Sequence, residues 1–131
     1  MPTKVTPFLM FTGEAEQAME LYTSLFDDAE VLTLTRFGPD GTGTEGTVEQ
    51  ATFRVADQVF RCFDSPPAHA FTFTPSFSVF VDVESAEELD RLFCGLSEGG
   101  GVLMPVGEYG FSRRFAWVND RFGVSWQLNL A

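Results

Sequence analysis

Two stretches of the chain repeat apolar residues at spacings of three and four, and eight others alternate apolar with polar positions. Between Glu14 and Phe26 the apolar positions Ala15, Ala18, Leu21, Tyr22, Leu25 and Phe26 predict an amphipathic helix. Gly13 and Glu14 open it, and Asp27-Asp28 closes it. Between Ser85 and Leu96 the stripe is Leu89, Leu92, Phe93 and Leu96, with Ser85 as N-cap and Glu88 completing a capping box. Gly99-Gly100-Gly101 ends that helix. Period-two alternation predicts strands at Val5–Phe11, Val31–Phe37, Thr47–Val55, Gln58–Asp64, Ser76–Val83, Val102–Val106, Arg114–Asn119 and Val124–Leu130. Tight hairpins are expected at Ala56-Asp57 and across Asn119–Gly123. Residues 38–46 read as a flexible loop, and Ser65–Pro75 as a proline-rich connector.

The predicted order is β-α-β-β-β, twice. Shifting the chain by 71 positions lays Ala18, Leu21 and Leu25 on Leu89, Leu92 and Leu96, and Val31-Leu32 on Val102-Leu103. This is an internal duplication, with repeats at about residues 4–65 and 76–131 of one α+β domain spanning 1–131. Each helix can cover one face of a four-stranded sheet, and the two remaining faces are expected to form a shared cup.

Composition narrows the function classes. At 131 residues the chain suits a single domain, and separate cofactor and substrate domains have no room. A net charge of −11, with Lys4 and seven Arg as the only full-time cations, argues against binding nucleic acid or anionic membranes. No apolar run reaches the roughly 20 residues of a membrane span. The opening residues lack the pattern of a signal peptide, and two Cys are too few for a disulfide scaffold; a cytoplasmic protein with free thiols is expected. Fifteen Phe is an unusual number for this length, and it calls for two aromatic surfaces instead of one.

Several blocks carry a resemblance. Gly13 through Tyr22 with Leu25-Phe26 looks like the first helix of the vicinal oxygen chelate superfamily, which includes glyoxalase I, extradiol dioxygenases and fosfomycin- and bleomycin-resistance proteins. Phe63-Asp64-Ser65 with His69-Ala70-Phe71-Thr72-Phe73 is similar to its PhnB-like branch, often labelled 3-demethylubiquinone-9 3-methyltransferase. Glu87–Leu92, Leu96–Gly100 and, most specifically, Trp117–Leu128 continue the match. The resemblance implies a glyoxalase-like fold of tandem βαβββ units, a cupped mixed sheet with helices outside, and a homodimer. The methyltransferase label finds no Gly-x-Gly-x-x-Gly turn between a strand and a helix to bind S-adenosylmethionine.

Metal-dependent members of the superfamily hold one divalent ion with four side chains, two per repeat. Carried onto this chain, those positions are Pro7, Cys62, Ser78 and Gln127. Proline has no donor, and neutral serine and glutamine are weak ligands, so no metal and no cofactor is expected; Asp64 or Glu49 would be the nearest rescue. Alternation from these positions places Phe80, Ser125 and Asn129 in the cup, with Phe115 and Trp117 beside them. In the first repeat it places Pro7, Leu9, Phe11, Phe60, Cys62 and Asp64 there, with Gln50, Thr52 and Arg54. Phe8, Phe53, Phe77 and Phe93 are left for the helix–sheet layers.

The candidate ligand-binding residues are therefore Gln50, Arg54, Cys62, Asp64, Ser78, Phe80, Trp117 and Gln127. Arg54 either pairs with Asp64 or anchors an anion. Tyr109 is a lid or a surface loop residue, and Asp120 is expected to hold its hairpin. Three functions compete: binding of an unidentified small molecule without metal; lyase, isomerase or transferase chemistry in the same cup, with a metal or a residue as acid or base; and a structural or regulatory dimer with no ligand.

Overall fold

The structure, a computed structural model, describes residues 2–67 and 69–131. The expected elements follow in the expected order. They are β1 (Phe8–Phe11), α1 (Ala15–Leu25), β2 (Ala29–Arg36), β3 (Val48–Val55), β4 (Gln58–Asp64), β5 (Ser78–Asp82), α2 (Ala86–Ser97), β6 (Gly101–Gly107), β7 (Arg114–Asn119) and β8 (Ser125–Leu130). The chain divides into two compact units, Met1–Ala70 and Phe71–Ala131. Each holds one helix and one four-stranded mixed sheet, in the order β1-β4-β3-β2 and β5-β8-β7-β6. The outer pairs β1–β4 and β5–β8 are parallel, and the rest are antiparallel. The duplication is thus a repeat of topology as well as of sequence, and the α+β class holds.

In the first unit α1 buries Ala15, Ala18, Met19 and Tyr22 against its sheet. Tyr22 meets Phe53 at 5.7 Å between ring centres, and Phe53 stacks on Phe60 at 5.1 Å. The register sets Leu9 beside Cys62, Cys62 beside Ala51, Phe11 beside Asp64, and Phe53 beside Phe60. Residues opposite one another across a ladder share a face, so all of these point towards α1, and all are buried. This corrects the sequence reading, which sent Leu9, Phe11, Phe60, Cys62 and Asp64, with Pro7, to the far face. Phe8 is the converse: expected in the core, it is exposed and stacks on Phe63 at 5.1 Å.

The 38–46 loop folds back on a buried ring. Phe37 donates its N–H to Thr47 and accepts one from Gly46, which closes the loop at its base. A Cβ on Gly43 would sit 2.5 Å from the Phe37 ring, so only glycine fits there.

In the second unit α2 buries Leu89, Leu92 and Leu96 over β7 and β8, where Ala116, Val118, Trp126 and Leu128 are buried in turn. Each buried Leu or Val of this layer contributes about 1.5–3 kcal/mol relative to exposure. Ser85 accepts the Glu88 N–H at 3.1 Å, and Glu88 reaches back to the N–H of Glu84, one residue earlier than a standard capping box. Asp120 holds the β7–β8 hairpin as expected: Oδ1 accepts from Phe122 and Val124, and Oδ2 from the indole of Trp126. Phe77, assigned to the core by the sequence, lies before β5 and is exposed.

Candidate functional site

The face of the second sheet turned away from α2 is a grid of three rows, because the ladders β5–β8–β7 align residue by residue. The rows are Ser78, Ser125 and Asn119; Phe80, Gln127 and Trp117; and Asp82, Asn129 and Phe115. Strand alternation puts all nine on one side, opposite the buried Trp126 and Leu128. Sequence reasoning placed Ser78, Phe80, Trp117 and Gln127 together, and the structure does bring these four to one face.

Hydrogen bonds fix the polar members. Gln127 donates through Nε2 to Ser78 Oγ at 2.8 Å, and Trp117 donates through Nε1 to Ser125 Oγ at 2.7 Å. Asn129 donates through Nδ2 to Asp82 Oδ1 at 2.9 Å. Asn119 Oδ1 is buried at the end of the first row and has no hydrogen-bond partner among the described residues. The middle row sets a fixed amide between two aromatic rings, and Phe80 is 53% exposed there. Asp82 was missed by the sequence reading, although its place two residues after Phe80 was signal enough.

The Phe115 corner is closed by aromatics. Tyr109 meets Phe115 edge-on at 6.1 Å, Phe111 does so at 4.9 Å, and Phe80 lies 6.3 Å away. The Tyr109 hydroxyl donates to the Pro105 carbonyl at 2.5 Å, so the loop is pinned with its ring beside the grid.

The four candidates of the first unit are dispersed. Gln50 is exposed at a bulge in β3, and Arg54 stands on the face away from α1. Arg54 pairs with Asp28 at 2.9 Å and Glu30 at 3.5 Å, not with Asp64, and its guanidinium pKa is raised, chiefly by the hydrogen bond to Asp28. Cys62 is fully buried under α1; burial, with the Asp64 carboxylate adding to it, pushes its thiol up to about 12, which removes it as a nucleophile at neutral pH. Asp64 is buried and accepts from Gly13, Ala15 and Val48 main-chain N–H groups at 2.7, 3.0 and 2.9 Å. A cavity of about 190 Å³ lies beside it, walled by Thr44, Thr47 and Ser65 among others. Two of those hydroxyls are engaged: Thr47 with the Thr44 carbonyl, and Ser65 with His69 Nε2 at 2.9 Å.

These placements test the superfamily's metal. Ser78 oxygen already accepts from Gln127, Cys62 and Asp64 face α1, and Pro7 offers no side-chain donor. Among the described residues no three of His, Cys, Asp and Glu gather in one place. The donor set does not fit a divalent ion.

The family described as 3-demethylubiquinone-9 3-methyltransferase matches residues 3–129. The chain belongs to this family. The PhnB protein of Bacillus cereus, solved under the same methyltransferase description, is 52% identical, with a TM-score of 0.95 over 98% of this chain and 100% of that one. Protein YjdN of Escherichia coli K12 is 26% identical over 96% of this chain and 94% of its own. A glyoxylase/bleomycin resistance/dioxygenase domain from Frankia is 16% identical, with a TM-score of 0.67 over 100% of this chain and 93% of that domain, which shows the shared fold. This PhnB-like protein thus has the fold of the vicinal oxygen chelate superfamily. No helix among its described residues is long and apolar enough to cross a membrane.

Proposed function

We propose that this PhnB-like protein binds a small molecule on the exposed sheet face of its second unit, without the superfamily metal. The observation that carries this is the middle row of the grid: an amide held in one orientation by Ser78, with an exposed Phe80 on one side and Trp117 on the other. A flat ligand gains contact area from the rings and direction from the amide, the usual construction of a small-molecule site. Arg54 is the weakest of the candidates, because two carboxylates already neutralise it. The protein is proposed to work as a homodimer: β2 and β6 are sheet edges, and both carry exposed apolar pairs, Val31-Leu32 and Val102-Leu103.

A thermal-shift screen of metabolites and divalent ions tests the reading, because a ligand of the native state stabilises it. A hit whose shift disappears in Phe80→Ala is the expected result. Absence of any such hit, or near-stoichiometric metal in protein purified without chelator, would favour the enzymatic alternative.

A further inference from the structure

Resting on that reading, we infer that the grid of the second unit selects planar cations over anions. The charge inventory decides it. The single N–H of Trp117 goes to Ser125, and Gln127 and Asn129 each direct an N–H to a neighbour on the same face. Each amide keeps a second N–H beside its oxygen, and each serine keeps its hydroxyl proton, so hydrogen bonding alone favours neither sign; the exposed Asp82 carboxylate is the one charged side chain of the nine, and the π-faces of Phe80 and Trp117 lie on the same face. Ring faces carry negative potential and attract cations.

None of the four arginines of the second unit is among the nine residues of the grid. Arg114 lies on the helix side and pairs with Asp90 at 2.8 Å. Arg113, one row beyond Phe115, turns its Nε to the Ala131 main-chain oxygen at 2.5 Å. Arg121 is in the hairpin turn over the Phe122 ring, and Arg91 is on α2. An anion among these nine residues would therefore meet a carboxylate and two ring faces with no cation of the grid to oppose them, whereas a flat cation meets its complement in charge.

Isothermal titration of the intact protein with three flat probes tests this: proflavine as cation, phenazine as neutral ring and anilinonaphthalene sulfonate as anion. Proflavine should bind most tightly and the sulfonate least. Asp82→Asn should weaken proflavine by about threefold to fivefold, the range of an exposed ion pair, and leave phenazine unchanged. Glu87→Gln, on the far side of α2, controls for net charge and should leave all three unchanged. Phe80→Ala should weaken every probe that binds. If the sulfonate binds as tightly as proflavine and is lost in Phe80→Ala, the charge preference is overturned while the binding face stands. If Asp82→Asn leaves proflavine unchanged, the preference is likewise overturned. If no probe binds in a Phe80-dependent way, the binding face fails with it.

Discussion

Asp64, the last residue of β4, accepts the main-chain N–H of Ala15 at the start of α1, 49 positions earlier, at 3.0 Å. The helix's own N-cap, Glu14, makes no side-chain bond to it. The carboxylate therefore supplies from the sheet what a local cap would supply, and it adds Gly13 on the same oxygen and Val48 on the other. Asp64→Ala leaves buried N–H groups without partners and is expected to cost about 3 kcal/mol or more. Asp64→Asn should recover part of that, since one oxygen remains. Urea unfolding of the variants checks the order; equal stability of wild type and Asp64→Ala would remove the cap assignment.

The two thiols should separate by reactivity. Cys94 is exposed on α2, and Cys62 is buried with its pKa raised to about 12. Iodoacetamide at neutral pH is expected to label Cys94 in the native protein and Cys62 only on unfolding, as peptide mass spectrometry would show.

The same shift predicts a pH dependence. The folded Cys62 keeps its proton where the unfolded chain, near the ordinary value of 9.0, loses it. Its contribution is full below about pH 9 and is lost as pH rises towards 12. The slope is at most about 1.4 kcal/mol per pH unit for one proton. Cys62→Ala should flatten the alkaline decline measured by urea titration, whatever it does to stability at neutral pH.

Gly100 joins α2 to β6 at a point where the hairpin backbone comes close. A Cβ there would lie 2.1 Å from the Asn119 carbonyl oxygen, and neither backbone segment can yield cheaply. Gly100→Ala is expected to destabilise by about 2 kcal/mol or more. Gly101→Ala, next to it with open space around its Cβ position, should cost far less. Comparable melting temperatures for the two variants would contradict the clash.

The dimer proposal is checked by sedimentation. Leu32→Glu with Leu103→Glu replaces exposed apolar side chains on both edge strands and should shift the protein towards monomer without loss of folded signal. Both leucines stand at register shifts in their ladders, at corresponding places in the two units.

How much of this was legible in the sequence differs between the halves. Both helices, every strand and the repeat could be read from periodicity, because a helix or strand needs only its own spacing of apolar residues to declare itself. The second unit's face was legible too: alternation from Ser78 and Gln127 gives the observed side for Phe80, Phe115 and Trp117. In the first unit the same counting failed. The shift of 71 that aligns Ala15 with Ala86 also carries Leu9 onto Phe80, yet Leu9 packs under α1 and Phe80 faces away from α2. One residue of slip between the strand and its helix reverses every side chain of the strand.

What the sequence by itself determined is the set of elements, their order and the family to which they belong. Only the tertiary structure decided which face each first-unit residue takes, that Arg54 answers to Asp28 and Glu30, and that Asp64 caps a helix instead of serving a ligand. The physical reason is range. Periodicity is a local property, repeated every two or four residues. Register, by contrast, is fixed by ladders between strands far apart in the chain, and the partner of a charge is fixed by which of those strands it meets.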